Sequence, residues 1–188
     1  MRRDTQKRPH MERALFVVGK QNAGKSTLLR QMFVDRRLGT DGAIPEASRI
    51  KPVALSPERC LVIRCASPHE RKETLRRFFD KVERDMERVS DQFWRFNYAC
   101  ALQPEAENKM PDLITICKKF DAKFAPERIR VILIDPRQDG RPGSRLAQSD
   151  VDELRSLSVE MAIIDAHRST PRYEYSNGIF LADFFDFA

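Results

Sequence analysis

Nine residues near the amino end constrain this chain more than any other stretch: Gly19-Lys20-Gln21-Asn22-Ala23-Gly24-Lys25-Ser26-Thr27. They fill the pattern G-x-x-x-x-G-K-[ST]. Before them lies the apolar run Ala14-Leu15-Phe16-Val17-Val18, the length of a buried strand. After them, Lys25 to Arg36 carries Leu28, Leu29, Met32 and Phe33 at helical spacing. Strand, glycine loop and helix form the context that gives the pattern meaning. Gly19 and Gly24 free the backbone for close approach to a ligand. Successive amides then form a nest for anions, and the helix adds its unsatisfied N–H groups. In such a nest a lysine suits the β- and γ-phosphates of a polyphosphate, and a serine hydroxyl suits Mg²⁺. A glycine-rich turn before an ordinary helix is the plainer alternative.

Residues 14–36 resemble the start of the P-loop nucleoside-triphosphatases, a superfamily of α/β nucleotide-binding proteins. The resemblance covers this one segment. It implies a cradle of Gly19, Lys20, Gln21, Asn22, Ala23, Gly24, Lys25, Ser26 and Thr27 around ATP or GTP, with Ser26 on Mg²⁺. Asn22 before Ala23-Gly24-Lys25-Ser26 resembles the loop of translation-factor-like and Era-like GTPases. Lys20, five positions ahead of Lys25, is similar to the extra signature lysine of plasmid-partition and septum-site ATPases. That family has glycines where this chain has Gln21 and Asn22.

A length of 188 residues fits one domain, 13–188, behind a flexible basic arm at 1–12. With 41% hydrophobic and 33% charged residues the chain reads as globular. The expected compartment is the cytoplasm, because no apolar run reaches membrane-spanning length and no signal peptide opens the chain. The four cysteines, Cys60, Cys65, Cys100 and Cys117, lack zinc-ligand spacing and read as reduced core residues. The net charge of +6 suits an anionic partner. The arm, with Arg2, Arg3, Lys7 and Arg8, is where nucleic acid or an acidic partner would touch.

Arg37 to Glu58 has Gly39, Gly42, Pro45, Pro52 and Pro57 and little periodicity. Such a long connection suggests a functional loop. In P-loop switch proteins the first switch lies here, which makes Thr40, and second Ser48, a candidate Mg²⁺ ligand. Cys60 to Cys65 predicts a strand. Ser67-Pro68-His69-Glu70 predicts a capped helix start, with Leu75, Phe78, Phe79, Val82, Met86 and Val89 on its buried face. Trp94 to Leu102 alternates as a strand does. A helix from Pro111 and strands at 129–134 and 159–164 follow, with a short helix from Ser149 between them. An Asn177-Gly178 turn is expected before a last aromatic helix. Five strands alternating with helices predict a three-layer α/β fold: a mainly parallel five-stranded sheet with helices on both faces, P-loop NTPase-like in kind.

Hydrolysis needs an acid after an apolar strand, and Asp135 and Asp165 both qualify, Asp135 also as a metal ligand. Arginines of the 136–148 loop, Arg141 among them, are placed to close over phosphates. No D-x-x-G follows a strand, and Asn108-Lys109-Met110-Pro111-Asp112 holds its acid one place too late for N-K-x-D, so ATP is favoured over GTP. Three readings remain open: a Mg²⁺-dependent NTPase switch working with a partner or as a homodimer, a small-molecule or nucleotide kinase, and a nucleotide-binding regulatory subunit without hydrolysis.

Overall fold

A computed structural model describes residues 9–47, 49–167 and 171–186. Its elements are β1 (His10–Val18), α1 (Lys25–Gln31), β2 (Val53–Ala54), β3 (Arg59–Arg64), α2 (Leu75–Val89), β4 (Arg95–Leu102), α3 (Leu113–Phe124), β5 (Arg128–Ile134), α4 (Gln148–Ser156), β6 (Glu160–Ile164) and α5 (Pro171–Phe185). The strands form one six-stranded sheet in the order β2-β3-β4-β1-β5-β6. Five run parallel, and β2 alone is antiparallel, pairing Val53 with Leu61 and Ala54 with Cys60.

The topology fixes which helix covers which face. From β1 the chain steps one way across the sheet to β3, with α1 in between. From β3 it returns through β4, past β1, to β5 and β6. Right-handed crossovers in opposite directions put their helices on opposite faces. The core divides accordingly. Phe78, Ile116, Phe120 and Leu154 of α2, α3 and α4 pack on one face, while Leu28, Leu29, Leu181 and Phe185 of α1 and α5 pack on the other. Aromatic edges lock the first layer, with Phe16 and Phe120 in a T-shaped pair 5.2 Å apart. All four cysteines are free and buried, and burial pushes the thiols of Cys60, Cys100 and Cys117 up to about 12.

The α/β class and the two helical layers match the sequence expectation, but the sheet has six strands rather than five. The extra one, β2, is two residues long and sits in the proline-containing connection. Two residues give no period to read. β1 also reaches back to His10, so residues 10–12 belong to the sheet and not to an arm. Arg2, Arg3, Lys7 and Arg8, with the nucleic-acid contact expected of them, and Ser48 lie outside the described residues.

Three helix boundaries differ as well. α1 ends at Gln31 and gives way to tighter turns at Met32–Val34 and Arg36–Leu38, broken by extended Asp35. Ser67 to Glu73 form turns. α2 starts at Leu75, where Thr74 accepts the Arg77 amide. Gly178 lies inside α5 instead of in a turn. A Cβ there would meet the Gln31 carbonyl oxygen at 2.1 Å, so glycine is required by the close crossing of α5 over α1.

Candidate functional site

β1 lies where the strand order reverses, flanked by β4 on one side and β5 on the other. The crevice beyond the carboxyl ends at such a switch point is where open α/β sheets bind ligands. The chain leaving β1 there is Gly19 to Gly24, and it turns directly into α1. Gly24 takes φ +105°, a conformation that side chains rarely adopt. Asn22 is left-handed too, at φ 61°. Ala23 donates its amide to the Lys20 carbonyl at 3.2 Å and closes the loop. The amides of Asn22, Gly24, Lys25, Ser26 and Thr27 have no acceptor among the described residues. They surround a pocket of about 140 Å³ bounded by Asn22 to Thr27, Glu70 and Gln138.

Lys25 is 4% exposed. Its ammonium spends all three N–H groups inside the protein: on Gly19 O at 2.9 Å, Lys20 O at 2.7 Å and Glu70 Oε1 at 3.0 Å. Burial holds its pKa below the ordinary lysine range, and the Glu70 carboxylate pulls the other way. Burial is the larger effect, so a further negative charge here would stabilise the cation. Ser26 donates its hydroxyl hydrogen to Cys65 O at 2.9 Å. Its oxygen lone pairs stay available at the pocket mouth, a geometry that fits a hard cation.

The structure gathers Asn22, Ala23, Gly24, Lys25, Ser26 and Thr27 around one pocket and leaves other candidates elsewhere. Gly19 and Lys20 contribute carbonyls to the Lys25 cage, and Gln21 is an exposed part of the same loop. The Lys20 ammonium points to Glu105 at 3.9 Å and is half exposed. Thr40 donates to Phe33 O at 3.1 Å and borders a separate cavity, under Pro45 and Val53. Asp135 directly follows β5, the neighbour of β1, but its carboxylate accepts the Gly143 amide at 2.8 Å and Arg145 Nε at 2.9 Å. Those two donors hold its pKa below the usual carboxylate range. Asp165 directly follows β6, one strand farther out, and accepts the His167 amide. Arg141 is mostly exposed and faces Asp139.

Two pocket residues escape the motif. Gln138, in the loop after β5, binds the Gly19–Thr27 backbone twice, through its amide to Ala23 O at 3.2 Å and its Nε2 to Asn22 O at 3.0 Å. Glu70 reaches Lys25 from the turn after β3. That turn is pinned by His69, whose ring lies 3.0 Å from Pro111 O and receives the Gln103 amide at 3.4 Å. Asn108 adds a bond to His69 O, and Asp112 caps α3. Both polar ends of the N-K-x-D-like stretch therefore have structural work. Glu70 read in the sequence only as part of a helix cap and Gln138 only as part of the loop after a strand, so neither pointed to the pocket.

No protein-family model, no curated protein and no solved structure matches this chain. Among the described residues no helix is long and apolar enough to cross a membrane.

Proposed function

We propose that this protein binds a magnesium–nucleoside triphosphate at the Gly19–Thr27 loop and hydrolyses it slowly, as a switch that acts with a protein partner or a second copy. The observation that carries the reading is the buried Lys25 ammonium beside a pocket ringed by unbonded amides. In this reading the phosphate oxygens take those amides, and the terminal phosphate takes the ammonium hydrogen now on Glu70. Mg²⁺ would be held by the Ser26 oxygen and would offset charge on the phosphates. Gly24 keeps the loop open, and Gln138 clamps its outer side. Asn108 and Asp112, occupied elsewhere, offer nothing dedicated to guanine, which favours ATP.

A binding-only regulatory role is the second reading. The specific observation behind it is that Glu70 alone supplies a carboxylate to the pocket lining. Asp135 and Asp165 are tied to other partners. Titration calorimetry with Mg·ATP and Mg·GTP, followed by phosphate-release assays on the same sample, tests both. The switch reading expects binding with slow release, and the regulatory reading expects binding without it. Absence of heat with either complex removes the nucleotide assignment altogether.

A further inference from the structure

A second site runs along the outer edge of β3, away from the phosphate loop. β2 pairs only with Leu61 and Cys60, and the chain before it, 49–52, peels away from the strand. The gap is a groove of about 520 Å³, floored by Val62, Ile63 and Cys65 and walled by α2. It continues past Arg49 and Arg88 into a cleft at Lys51 and Pro52.

Backbone direction makes this edge receptive. The Cys60 carbonyl points toward β4, where Asn97 reaches it at 3.3 Å, and the Arg59 carbonyl points toward β2, where Leu55 donates to it at 2.9 Å. Strand alternation then turns the N–H and C=O of Ile63 to the open side. Neither has a backbone partner among the described residues. An unpaired strand edge is a template for an added strand.

Charge says what kind of strand. Arg49, Lys51, Arg64, Lys81, Arg84 and Arg88 line the two connected clefts. Among the described residues only two carboxylates answer them. Buried Glu73 holds Arg64 and Lys81, and Asp85 holds Arg88 at 2.9 Å. Arg49, Lys51 and Arg84 have no carboxylate partner among the described residues. Along α2, Lys81, Arg84 and Arg88 form a row about 10 Å long at 1.5 Å per residue. The strand part of the floor, Val62 to Arg64, is about 7 Å at 3.3 Å per residue, and Cys65 and Ala66 extend it past the end of β3. A row of cations beside the unpaired end of a strand fits a row of carboxylates on an extended backbone. The chain's own residues 1–8 carry Arg2, Arg3, Lys7 and Arg8 and would be repelled.

We propose that this groove docks an extended, acidic segment of a partner protein by strand addition to β3. The assignment stands apart from the nucleotide reading, although the sites are neighbours: Cys65, on the groove floor, accepts the Ser26 hydroxyl.

The test uses the full chain without nucleotide and a short fluorescent peptide alternating glutamate with valine. Fluorescence anisotropy should show saturable binding that weakens at least about tenfold in the double variant Arg84→Glu, Arg88→Glu. Binding should also weaken as salt rises from about 0.05 to 0.3 M. Hydrogen exchange should slow at the Ile63 amide when the peptide is bound. Lys25→Ala should bind the peptide as tightly as wild type, which separates this test from the triphosphate assignment. Circular dichroism checks that the charge-reversed chain is folded. The proposal is overturned if the peptide does not bind, if a proline-interrupted peptide of equal charge binds equally well, or if Ile63 exchange is unchanged. Tighter binding of a single-stranded oligothymidylate to the same groove would assign it to nucleic acid instead. A peptide-free dimer that the double variant dissolves would assign it to a second copy.

Discussion

Both ends of β1 bury charge, and they do so in opposite ways. At the amino end Glu12 is fully enclosed. Arg95 lies 2.7 Å from it, Arg59 3.0 Å and Arg13 3.7 Å, and Asn97 donates to its other oxygen at 3.1 Å. At the carboxyl end Lys25 is just as buried, but its one carboxylate partner, Glu70, is 33% exposed and borders a pocket with unbonded amides. A desolvated ion walled in by fixed partners is scaffold, because exchanging any of them leaves a charge uncompensated. A desolvated ion whose partner can leave toward solvent is poised to accept a ligand. Burial alone does not distinguish the two; the replaceable partner and the cavity do.

The comparison is broken most sharply at the amino end. Glu12→Ala should destabilise the chain by about 3–5 kcal/mol, since it takes the shared carboxylate from buried Arg13 and from the partly buried Arg59 and Arg95. Urea unfolding measures this, and Mg·ATP affinity of the folded fraction should not change. A loss below about 1 kcal/mol would mean the arginines find water or one another, and the scaffold description of this pole would fall.

Lys25→Ala should give the converse pattern. Mg·ATP affinity falls about a hundredfold, equivalent to about 2.7 kcal/mol, while stability moves by less than about 2 kcal/mol. Calorimetry and urea unfolding on one preparation separate the effects. Unchanged affinity would put the phosphates somewhere else.

Glu70→Gln sharpens the contrast, because it removes the charge that competes for Lys25 and keeps the shape. Mg·ATP should bind about five- to tenfold more tightly, roughly 1 kcal/mol. Weaker binding would show that Glu70 organises the lysine and does not compete with phosphate.

The carboxyl pole was far more legible in the sequence than the amino pole. Loop chemistry is local: Gly19, Gly24, Lys25 and Ser26 are read from one short window, and the strand and helix beside them follow from apolar spacing. Glu12 made residues 10–12 look like the end of a polar arm, because its partners Arg59 and Arg95 are brought in only by sheet pairing. Gly178 resembled a turn residue, since the backbone of α1 that forbids a side chain there is invisible along the chain. Glu70 was taken for part of a helical cap, and its contact with Lys25 spans 45 positions. Interactions within a turn or two leave a pattern; those made by folding do not.

The smallest expected effect concerns pH at the carboxyl pole. Burial keeps the His69 pKa below its ordinary value of 6.5, while the Pro111 carbonyl bond pulls it up, as do the charges of Glu107 and Glu70; Lys25 adds to the lowering. The ring is thus neutral in the fold, with one nitrogen donating to Pro111 O and the other accepting the Gln103 amide. The unfolded chain takes up its proton first as pH falls. This contribution to stability is therefore complete above 6.5, declines as pH drops from there toward the lowered folded value, and is gone below it. Thermal melts between about pH 7.5 and 5.5 should show a decline of a few degrees in wild type. His69→Gln should melt lower throughout, and the part of the slope owed to this ring should disappear. Because His69 fixes the turn that carries Glu70, exchange at the Arg71 amide, which closes that turn on Ser67 O at 3.1 Å, should speed up over the same window, while the Asn97 amide beside Glu12 stays protected. Equal loosening at both residues would mean that protonation loosens the whole sheet, and that the two poles are mechanically one.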